Sequence, residues 1–500
     1  MTSRGPRYVL GADIGTSSCK TILIDDFGRV IASDSEPYPC IYPEPGFVEQ
    51  DPEAWYQAFC RTTSRVLNEA KANPRAIEAI CIVGVTHNPV LLDTDEKLLR
   101  NAIHFWDKRS VEQVGQITKK WGDEVRFRTL NEPDPLWTWP QLLWIRDNEH
   151  DIWDNIAHLL FTKDYVRHRL VPSLITDAVD PAGTLLYDPR RLEWIKSFVD
   201  DLGLPYSSIP ELRPPESIAG GLSPKAADET GLRAGTPVLT GTTDTAAELL
   251  GAGAVQSGQA VVKLASVGRI MIVLDKPLDH PTILNYPHMI PGLWYPGSVT
   301  KYGASAYSWA RKAFWSEFEE DGIYRKMDES ASEVPPGSEG VFFHPHLAGE
   351  YAPQWDTKLR ASFIGLSVQH TRAHFTRAVL EGVAFQIRSA LAQVMEHGGM
   401  YNEVRLIGGG AKSRVWAQIM ADVLAVELFV PEQKSAAYGA CKLAGKTVGM
   451  FQQETNALTK MEKFTPDPEA QSLYEEFYAG FQDLEPALAK ISHHIEDLSL

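Results

Sequence analysis

The sequence predicts an α/β protein of more than one domain, and three observations lead to that fold class. The chain has 500 residues, enough for roughly two to four domains of about 150 residues each. Two strand–turn–strand hairpins of similar outline are predicted, in residues 8–24 and 260–274, and a duplicated architecture would explain the pair. Apolar strands also run into glycine-containing turns and then helices, in residues 238–255 and 404–424, which is typical of α/β units.

Composition and charge narrow the range of functions. The net charge is -17 at pH 7, which argues against nucleic-acid binding because that needs a basic surface. The five cysteines are scattered and form no CxxC pair, so neither a disulfide framework nor a zinc site is predicted, and a reducing compartment fits. The sequence shows no signal-peptide apolar region and no apolar run near about 18 residues. We therefore expect a cytoplasmic protein without a membrane span.

The stretch Val238–Val255, VLTGTTDTAAELLGAGAV, places one carboxylate where a strand turns into a helix. Asp244 lies between the Gly/Thr turn and a helix-favouring segment of small residues. Two interpretations are open. Aspartate is among the best helix N-cap residues, and the stretch alone favours that role. The other interpretation is a catalytic base at the mouth of a cleft between two domains.

The first predicted hairpin, in DIGTSSCKTILID, has a turn suited to a phosphate. Asp13, Gly15, Thr16 and Ser17 lie in this turn, and Lys20 follows in the next strand. Glycine permits close backbone approach, and hydroxyl and amide groups can cradle a phosphate. Because an aspartate beside a phosphate is repulsive unless it holds Mg²⁺, the turn suits a metal–nucleotide site. The alternative is an ordinary polar hairpin turn.

Two further polar positions are candidates for ligand contacts. His87 lies at the end of the strand predicted over residues 77–85, although a lone histidine is more often structural than functional. Asp107 and Arg109 lie two residues apart, directly after a pair of aromatic residues. They could form a salt-bridged loop or bind the hydroxyl groups of a ligand.

In the C-terminal half, the glycine triplet Gly408–Gly410 lies between a predicted strand and a predicted helix, and Ser413 follows it. A structural turn seldom needs three glycines, so we favour a loop whose backbone approaches a flat ligand or a phosphate. Ser266, in the turn of the second hairpin, could belong to a second phosphate loop. The small-residue helix predicted over residues 436–444 could pack behind the triplet.

Two nucleotide-binding motifs are missing from the sequence. A Walker A loop would need a glycine at position 440, before Gly445-Lys446-Thr447, and that position is Ala440. No GxGxxG follows the first strand, so a dinucleotide-binding fold is unsupported.

Six segments, taken in order, resemble the FGGY carbohydrate kinases, and their xylulokinase-like branch in particular. They are GADIGTSSCKTILID, PGFVEQDPEAWY, FWDKRS, GTTDTAAELLGAGAV, FFHPHLAGEYAPQWD with RASFIGLS, and GGGAKSRVWAQIMADVL, and the match runs from Val9 to Gly449. The resemblance implies an α/β fold with two actin-like (ribonuclease H-like) domains flanking a catalytic cleft. Residues 1–246 would form the N-terminal domain, with the sugar site and the base. Residues 247–500 would form the C-terminal domain, with the ATP site and a helical tail.

The resemblance also implies roles for individual residues. Asp244 would be the catalytic base and Asp13 would organise the metal, Mg²⁺. The sugar site would be lined by His87, Asp107 and Thr245. The residues expected to bind ATP are Thr16, Ser17, Lys20, Ser266, Gly408, Gly409, Gly410 and Ser413.

The sequence departs from the family pattern at three places. Val85-Thr86-His87 lies where xylulokinases usually have Gln-Met-His, and Asp244-Thr245 where they usually have Asp-Asn. Both departures bear on the identity of the sugar. Ala265-Ser266-Val267-Gly268 replaces the usual Gly-Thr-Ser-Gly of the second phosphate loop, which leaves the backbone amides to contact a phosphate.

The expected function is ATP-dependent phosphorylation of a primary hydroxyl of a ketopentose, D-xylulose or similar, or of a related polyol. ATP and Mg²⁺ are the expected cofactors. The expected partners are the sugar or polyol and ATP, with no nucleic acid and no membrane, and a homodimer is one option for the assembly. Two alternatives stay open: a kinase for another ketose or polyol, and a non-catalytic sugar or nucleotide sensor of the same fold.

Overall fold

The computed structural model describes residues 5–318, 321–451 and 460–498, which pack into two units. The first unit comprises the described residues of Met1–Gly253, Asn285–Leu293 and Gln433–Thr459. The second comprises those of Ala254–Leu284, Trp294–Glu432 and Lys460–Leu500. The expected boundary between residues 246 and 247 falls inside the helix Asp244–Ala252, and the division lies after Gly253 because this helix packs as one body with the first unit.

The secondary structure alternates between strands and helices along most of the chain. The strands are β1 (Tyr8–Ile14), β2 (Ser18–Asp25), β3 (Val30–Pro37), β4 (Glu49–Gln50), β5 (Ile77–Gly84), β6 (Val90–Leu92), β7 (Ala102–Ile103), β8 (His158–Leu160), β9 (Ile175–Asp177), β10 (Tyr187–Asp188), β11 (Glu193–Trp194), β12 (Glu211–Arg213), β13 (Ile218–Gly221), β14 (Pro237–Leu239), β15 (Thr242–Thr243), β16 (Gln259–Leu264), β17 (Gly268–Ile272), β18 (Gly297–Thr300), β19 (Phe342–His344), β20 (Ser362–Ile364), β21 (Glu403–Ile407), β22 (Leu428–Pro431) and β23 (Met461–Phe464). The helices are α1 (Pro52–Ala70), α2 (Val111–Trp121), α3 (Asp123–Thr129), α4 (Thr138–Asn148), α5 (His150–Trp153), α6 (Thr162–Leu170), α7 (Lys196–Leu202), α8 (Pro224–Thr230), α9 (Asp244–Ala252), α10 (Ala304–Phe314), α11 (Ile323–Ser332), α12 (Arg372–Glu396), α13 (Arg414–Leu424), α14 (Ala436–Thr447) and α15 (Pro468–Leu498).

The first unit is built on a sheet with the strand order β13-β14-β5-β1-β2-β3, in which β15 also pairs with β5. β2 runs antiparallel to both β1 and β3, and short turns join the three strands. β5 runs parallel to β1, and β14 and β15 run parallel to β5. Parallel neighbours need a long crossover, and α1 lies in the connection that leads to β5.

The second unit repeats this arrangement with the order β18-β17-β16-β21-β22-β23. Antiparallel β16, β17 and β18 correspond to β1, β2 and β3, and the parallel β21 and β22 correspond to β5 and β14. The outer strands β13 and β23 both pair antiparallel, although β13 precedes its partner in the chain and β23 follows it. The duplication that the two hairpins predicted is therefore confirmed.

Polar side chains cap the N-termini of two long helices. The Asp51 side chain accepts a hydrogen bond of 2.9 Å from the backbone N–H of Glu53, and Pro52 begins α1. Thr371 precedes α12 and forms a capping box with His374, whose Nδ1 accepts from the Thr371 N–H at 3.1 Å. Each cap satisfies backbone donors that the helix itself leaves unpaired, a contribution of about 1 kcal/mol.

α14 packs against β1 and α9 through contacts that leave no room for a side chain. A Cβ on Gly11 of β1 would lie 2.3 Å from Ala437 O, and one on Gly439 would lie 1.9 Å from Ala247 O. The prediction that this helix packs behind the Gly408–Gly410 triplet is wrong, because these backbone contacts hold it in the first unit. The small residues of α14 serve close helix packing.

Each unit has its own apolar core. In the first, β1, β5 and β14 contribute Leu10, Ile80 and Val238. Trp137 and Trp139 are also buried in this unit. A separate cluster in the second unit gathers the buried faces of β16, β21, α12 and α13. Among the described helices, none combines the length and the apolar character needed to cross a bilayer.

Candidate active site

Three parallel strands of the first sheet end side by side and bring the predicted polar residues to one edge. Ile14 at the end of β1 pairs with Gly84 at the end of β5, and Gly84 also pairs with Thr243 at the end of β15. The turn after β1, the segment containing His87 and the residue Asp244 therefore all follow the carboxyl ends of adjacent strands. In α/β sheets this edge is where ligands bind.

Asp244 is the first residue of α9, and the helix cap is Thr243 rather than Asp244. The Thr243 hydroxyl accepts a hydrogen bond of 3.1 Å from the Ala246 N–H. The half-buried Asp244 carboxylate accepts at Oδ1 from the Thr245 N–H at 2.6 Å and from the Thr245 hydroxyl at 3.2 Å. A carboxylate at this position is stabilised by the positive end of the helix dipole. The helix therefore does not need the Asp244 carboxylate as its cap.

The backbone of the turn before Asp244 demands glycine. Gly241 has φ of 78°, and a Cβ there would lie 1.9 Å from Ile82 O of the neighbouring strand β5. A residue with a side chain would meet both backbone strain and a clash at this position. The sequence GTTD thus fixes the path by which the chain leaves β14 and begins α9.

The turn after β1 directs its carbonyl groups into the protein. Gln50 donates to Thr16 O at 2.7 Å, the Tyr38 N–H donates to Ser17 O at 3.1 Å, and the Tyr38 hydroxyl donates to Gly15 O. Carbonyl oxygens would repel a phosphate, so satisfying them inside the protein suits an anion site. Ser17 is exposed and Thr16 is half-buried at this turn.

Asp13 and Lys20 face each other across the first hairpin. Asp13 is the next-to-last residue of β1 and pairs with Lys20 of β2 in the antiparallel register. Directly opposed residues of antiparallel strands project their side chains from the same face of the sheet. The carboxylate and the ammonium group predicted to serve the nucleotide therefore belong to one face.

His87 is held at both ring nitrogens. Nδ1 lies 2.8 Å from the carbonyl oxygen of Gly183, and because a carbonyl only accepts, Nδ1 carries the proton. In the neutral ring, Nε2 is then an acceptor, so the Tyr286 hydroxyl donates to it at 3.1 Å. The Trp137 ring meets the imidazole edge-on at 4.8 Å between centroids. A sequence signal for Tyr286 was lacking, because it comes from a separate part of the chain.

Asp107 lies in the salt-bridged loop that was one of its two interpretations. The fully buried carboxylate accepts from Arg109 Nε and Nη2 and from the Val48 N–H at 2.5 Å. Arg109 also donates to Glu49 at 2.8 Å. Both oxygens of Asp107 are thus engaged within the protein, and a sugar contact for this residue stays a prediction.

A group of buried charges behind this edge was missed by the sequence reasoning. Lys163 Nζ lies 2.6 Å from Asp164 Oδ1, 2.9 Å from Asp177 Oδ1 and 3.2 Å from Asp180 Oδ2. Arg167 donates to Asp164 Oδ1 at 2.7 Å. We call these five residues the buried charge cluster, and each is at most 1% exposed.

The cluster contains three carboxylates and two cations. Their burial and their mutual charges shift the pKa values of Asp180 and Lys163. Burial raises the pKa of the Asp180 carboxyl to about 8, although Lys163 opposes the rise, and the charges of Asp177 and Asp164 add to it. Burial alone would lower the pKa of Lys163, but the three carboxylates raise it above its usual value. Lys163 is therefore charged at neutral pH, and the raised pKa of Asp180 lets this carboxyl hold a proton there.

The stability of the Asp180→Asn variant, relative to that of wild type, is expected to increase as the pH rises. Folded Asp180 keeps its proton up to a pH of about 8, whereas the unfolded residue loses it near pH 3.9. The folded state binds more protons between these values, so the stability contributed by Asp180 is lost as the pH rises through this window. Asparagine does not ionise, so the difference in Tm between Asp180→Asn and wild type should increase from about pH 4 to about pH 8 and then level off.

Thermal unfolding at a series of pH values measures this difference. The matched control is Asp200→Asn, which removes an exposed carboxylate outside the cluster. A difference in Tm between Asp180→Asn and wild type that stays flat with pH would contradict the proposed titration of the cluster.

The second unit has a corresponding edge with glycine and serine residues. Lys263 of β16 pairs with Ile407 of β21, so the loop containing Ser266 and the triplet Gly408–Gly410 follow the ends of adjacent parallel strands. Ser266 is exposed. The Ser413 hydroxyl caps α13 by accepting from the Trp416 N–H at 3.1 Å, and it donates to Asp328 at 2.8 Å. An ATP contact for Ser413 stays a prediction.

The folded chain requires glycine at two positions of the triplet and tolerates a side chain at the third. Gly408 has φ of 87°, and a Cβ there would lie 2.5 Å from Leu264 O. A Cβ on Gly410 would lie 2.8 Å from the Leu264 side chain. Gly409 has φ of -65°, and an added Cβ would meet no atom within 4 Å. The folded chain accounts for two of the glycines and does not itself require one at position 409.

Comparison with known proteins assigns both units to one class, the carbohydrate kinases. The model of the N-terminal domain of the FGGY family of carbohydrate kinases matches residues 8–251, and that of the C-terminal domain matches residues 269–448. The chain belongs to the FGGY family of carbohydrate kinases.

Three similar proteins illustrate the extent of the match. The xylulose kinase of Bacillus subtilis (strain 168) is 31% identical over 496 residues, covering 96% of this chain and 99% of that protein. The gluconokinase of the same organism is 29% identical over 506 residues, covering 98% of each chain. The solved structure of xylulose kinase from Rhodospirillum rubrum has a TM-score of 0.87 and 28% identity, covering 97% of this chain and 100% of that one. The two units therefore have the actin-like fold of these enzymes.

Proposed function

We propose that the protein phosphorylates a primary hydroxyl of a ketopentose, D-xylulose or a similar sugar, with ATP as the phosphoryl donor. One observation carries the proposal: Asp244 begins α9 at the same sheet edge as the Asp13 turn, while Thr243 serves as the cap. The identity of 31% to a xylulose kinase, over nearly the whole of both chains, supports the choice of sugar.

Asp244 is the proposed general base. Its carboxylate would take the proton of the sugar hydroxyl as that oxygen attacks the γ-phosphorus of ATP. The bond from the γ-phosphorus to the bridging oxygen breaks, and ADP leaves. Phosphoryl transfer depends mostly on positioning and charge neutralisation, and a base contributes about 10²- to 10⁴-fold. The contacts of Asp244 Oδ1 to Thr245 would orient the carboxylate for this task.

Asp13 is the proposed residue for Mg²⁺. This ion is usually bound by one or two carboxylates together with substrate phosphates, and seldom by a cage of protein groups alone. In the described ranges, no group of three or more His, Cys, Asp or Glu side chains could form such a cage. The single carboxylate at the first turn fits that donor set, directly or through water. Bound there, Mg²⁺ would neutralise part of the phosphate charge.

Loops of both units are proposed to bind ATP. The amides and hydroxyls of Thr16 and Ser17 would contact phosphate oxygens, with Lys20 supplying positive charge. In the second unit, Ser266 would border a phosphate and the Gly408–Gly410 triplet would border the adenosine. Gly409 gives the main support for placing the triplet beside the adenosine, because an added Cβ there would meet no protein atom within 4 Å.

The surroundings of His87 favour a neutral sugar. Gly183 O, the Tyr286 hydroxyl and the Trp137 ring are uncharged groups that contact the imidazole. An aldonate such as gluconate would need a cation for its carboxylate, because an unpaired charge is costly to bury. Gluconate nevertheless stays the second candidate, since one relative of similar length is a gluconokinase. Thr245 and Asp107 are proposed to contribute to the same sugar site.

We also infer a reducing, cytoplasmic environment, supported by the five cysteines, all of which are free thiols. The net charge of -17 supports the absence of a nucleic-acid partner. A homodimer stays a prediction, which the molar mass in solution would test.

A substrate panel tests the proposed function. D-xylulose, other ketopentoses, pentitols and D-gluconate are each assayed for ADP release above the rate without sugar. The expected result is sugar-dependent turnover that is highest with a ketopentose, and loss of that turnover in Asp244→Asn. Turnover with gluconate alone would favour the second candidate. Tight binding of a sugar or of ATP without any turnover would favour a sensor and overturn the proposal.

A further inference from the structure

The buried charge cluster contacts the turn that precedes Asp244. Asp177 Oδ2 accepts a hydrogen bond of 2.9 Å from the Thr242 hydroxyl. Arg167 donates one of 3.1 Å to the carbonyl oxygen of Thr240. The turn that carries Asp244 is thus held to the cluster at two of its residues, one on either side of Gly241.

The same cluster also supports His87. Asp180 is the first residue of the 3-10 turn Asp180–Gly183, and Gly183 O accepts the hydrogen bond from His87 Nδ1 at 2.8 Å. A Cβ on Gly183 would lie 1.9 Å from His87 Nδ1, so the ring packs directly on this turn. The orientation of the imidazole therefore depends on where the Asp180 turn lies.

Lys163 connects these two sets of contacts. We call the contact of Asp177 with the Asp244 turn the Asp177 arm, and the contact of the Asp180–Gly183 turn with His87 the Asp180 arm. Its ammonium group lies 2.9 Å from Asp177, which holds the Asp244 turn, and 3.2 Å from Asp180, which begins the His87 turn. It is fully buried, so its partners are fixed and its contacts are little screened by solvent.

We propose that Lys163 is a positioning residue that sets the proposed base Asp244 and the proposed sugar residue His87 relative to each other, through Asp177–Thr242 and through the Asp180–Gly183 turn. The inference rests on the proposed function for the roles of these two residues. Its consequence for rate follows from geometry, because a displacement of about 1 Å at a reacting group can cost about 100-fold.

The Asp177 arm can be tested without disturbing a charge. Thr242→Val keeps the shape of the side chain and removes the hydroxyl that Asp177 accepts from. We expect kcat to fall by about tenfold with an unchanged KM for ATP, and Thr242→Ser, which keeps the hydroxyl, to restore it. The matched control is Thr236→Val, at a buried threonine whose hydroxyl donates to Arg233 O outside the cluster. This control should keep the wild-type kcat.

Hydrogen exchange gives a readout that needs no substrate. The amides of residues 243–247 should exchange about tenfold faster in Thr242→Val than in wild type or in Thr236→Val, because the turn that leads into α9 loses a hydrogen bond. A wild-type kcat together with wild-type exchange in Thr242→Val would overturn the inference. If the wild-type protein phosphorylates no sugar, the proposed function fails, while the exchange measurement still decides whether the cluster holds this turn.

Lys163→Met tests both arms together. Loss of the ammonium group should lower kcat through Asp244 and also raise the KM for the sugar through His87, whereas Thr242→Val should change kcat alone. A folded Lys163→Met protein with only one of these two effects would overturn the connection between the arms. If this variant does not fold, the kinetic and exchange results for Thr242→Val still test the inference.

Discussion

Replacing Asp244 with asparagine is expected to lower kcat by at least about two orders of magnitude while leaving the fold intact. The amide has the shape of the carboxylate but does not accept the hydroxyl proton, and a general base is typically worth about 10²- to 10⁴-fold. The helix should form as before, because Thr243 provides the cap and Asp244 does not. The KM values should change little, since the lost interaction belongs to the transition state.

Steady-state kinetics with the best sugar of the panel, together with Tm, measure this effect. Thr243→Ala is the matched control, because it removes the cap and costs about 0.5–2 kcal/mol of stability but keeps the acid. We expect the two neighbouring variants to separate rate from stability. A kcat near wild type for Asp244→Asn would remove this residue from the role of base.

Replacing Gly409 with alanine should raise the KM for ATP by about tenfold or more without loss of stability. The backbone of Gly409 is helical, which any residue adopts, and its added Cβ meets no protein atom within 4 Å. A methyl group there would instead meet a nucleotide that approaches the loop closely, and tenfold corresponds to only about 1.4 kcal/mol of lost binding. Titration of ATP and thermal unfolding together provide the measurement.

The neighbouring glycine supplies the comparison. Gly408→Ala places a side chain at φ of 87° and 2.5 Å from Leu264 O, so its main effect should be a lower Tm. A raised KM for ATP in Gly409→Ala and a lowered Tm in Gly408→Ala would show that Gly409 makes room for the ligand and that Gly408 is required by the backbone. If Gly409→Ala binds ATP as wild type does, the triplet does not border the nucleotide.

The ends of the strands could be predicted from sequence because their patterns are local. An apolar run followed by a polar or glycine turn placed Asp13, His87 and Asp244 at strand ends, and the register of β1, β5 and β15 brings them to one edge. Which residue of GTTD becomes the cap could not be read from composition. Thr243 and Asp244 are both good capping residues, and the backbone path through Gly241 decides between them.

The residues that were missed depend on contacts between distant parts of the chain. Lys163 and Arg167 lie in TKDYVRHRL, a segment with the composition of a solvated helix face, and nothing in it indicates burial. Their role emerges only when Asp177 meets Thr242, 65 residues later in the chain. The same limitation applies to the glycine triplet, in which three identical residues meet three different surroundings.

The late position of α14 in the chain has a consequence for how the protein folds during synthesis. This helix closes the packing of β1 and α9, the strand that carries Asp13 and the helix that begins with Asp244, yet it lies at residues Ala436–Thr447 of a 500-residue chain. During translation, the ribosome makes two of the three segments of the second unit, up to Glu432, before it makes this last part of the first. The nascent first unit therefore stays open on one side until residues 254–432 have been made, and the groups proposed for catalysis gain their final support only after that.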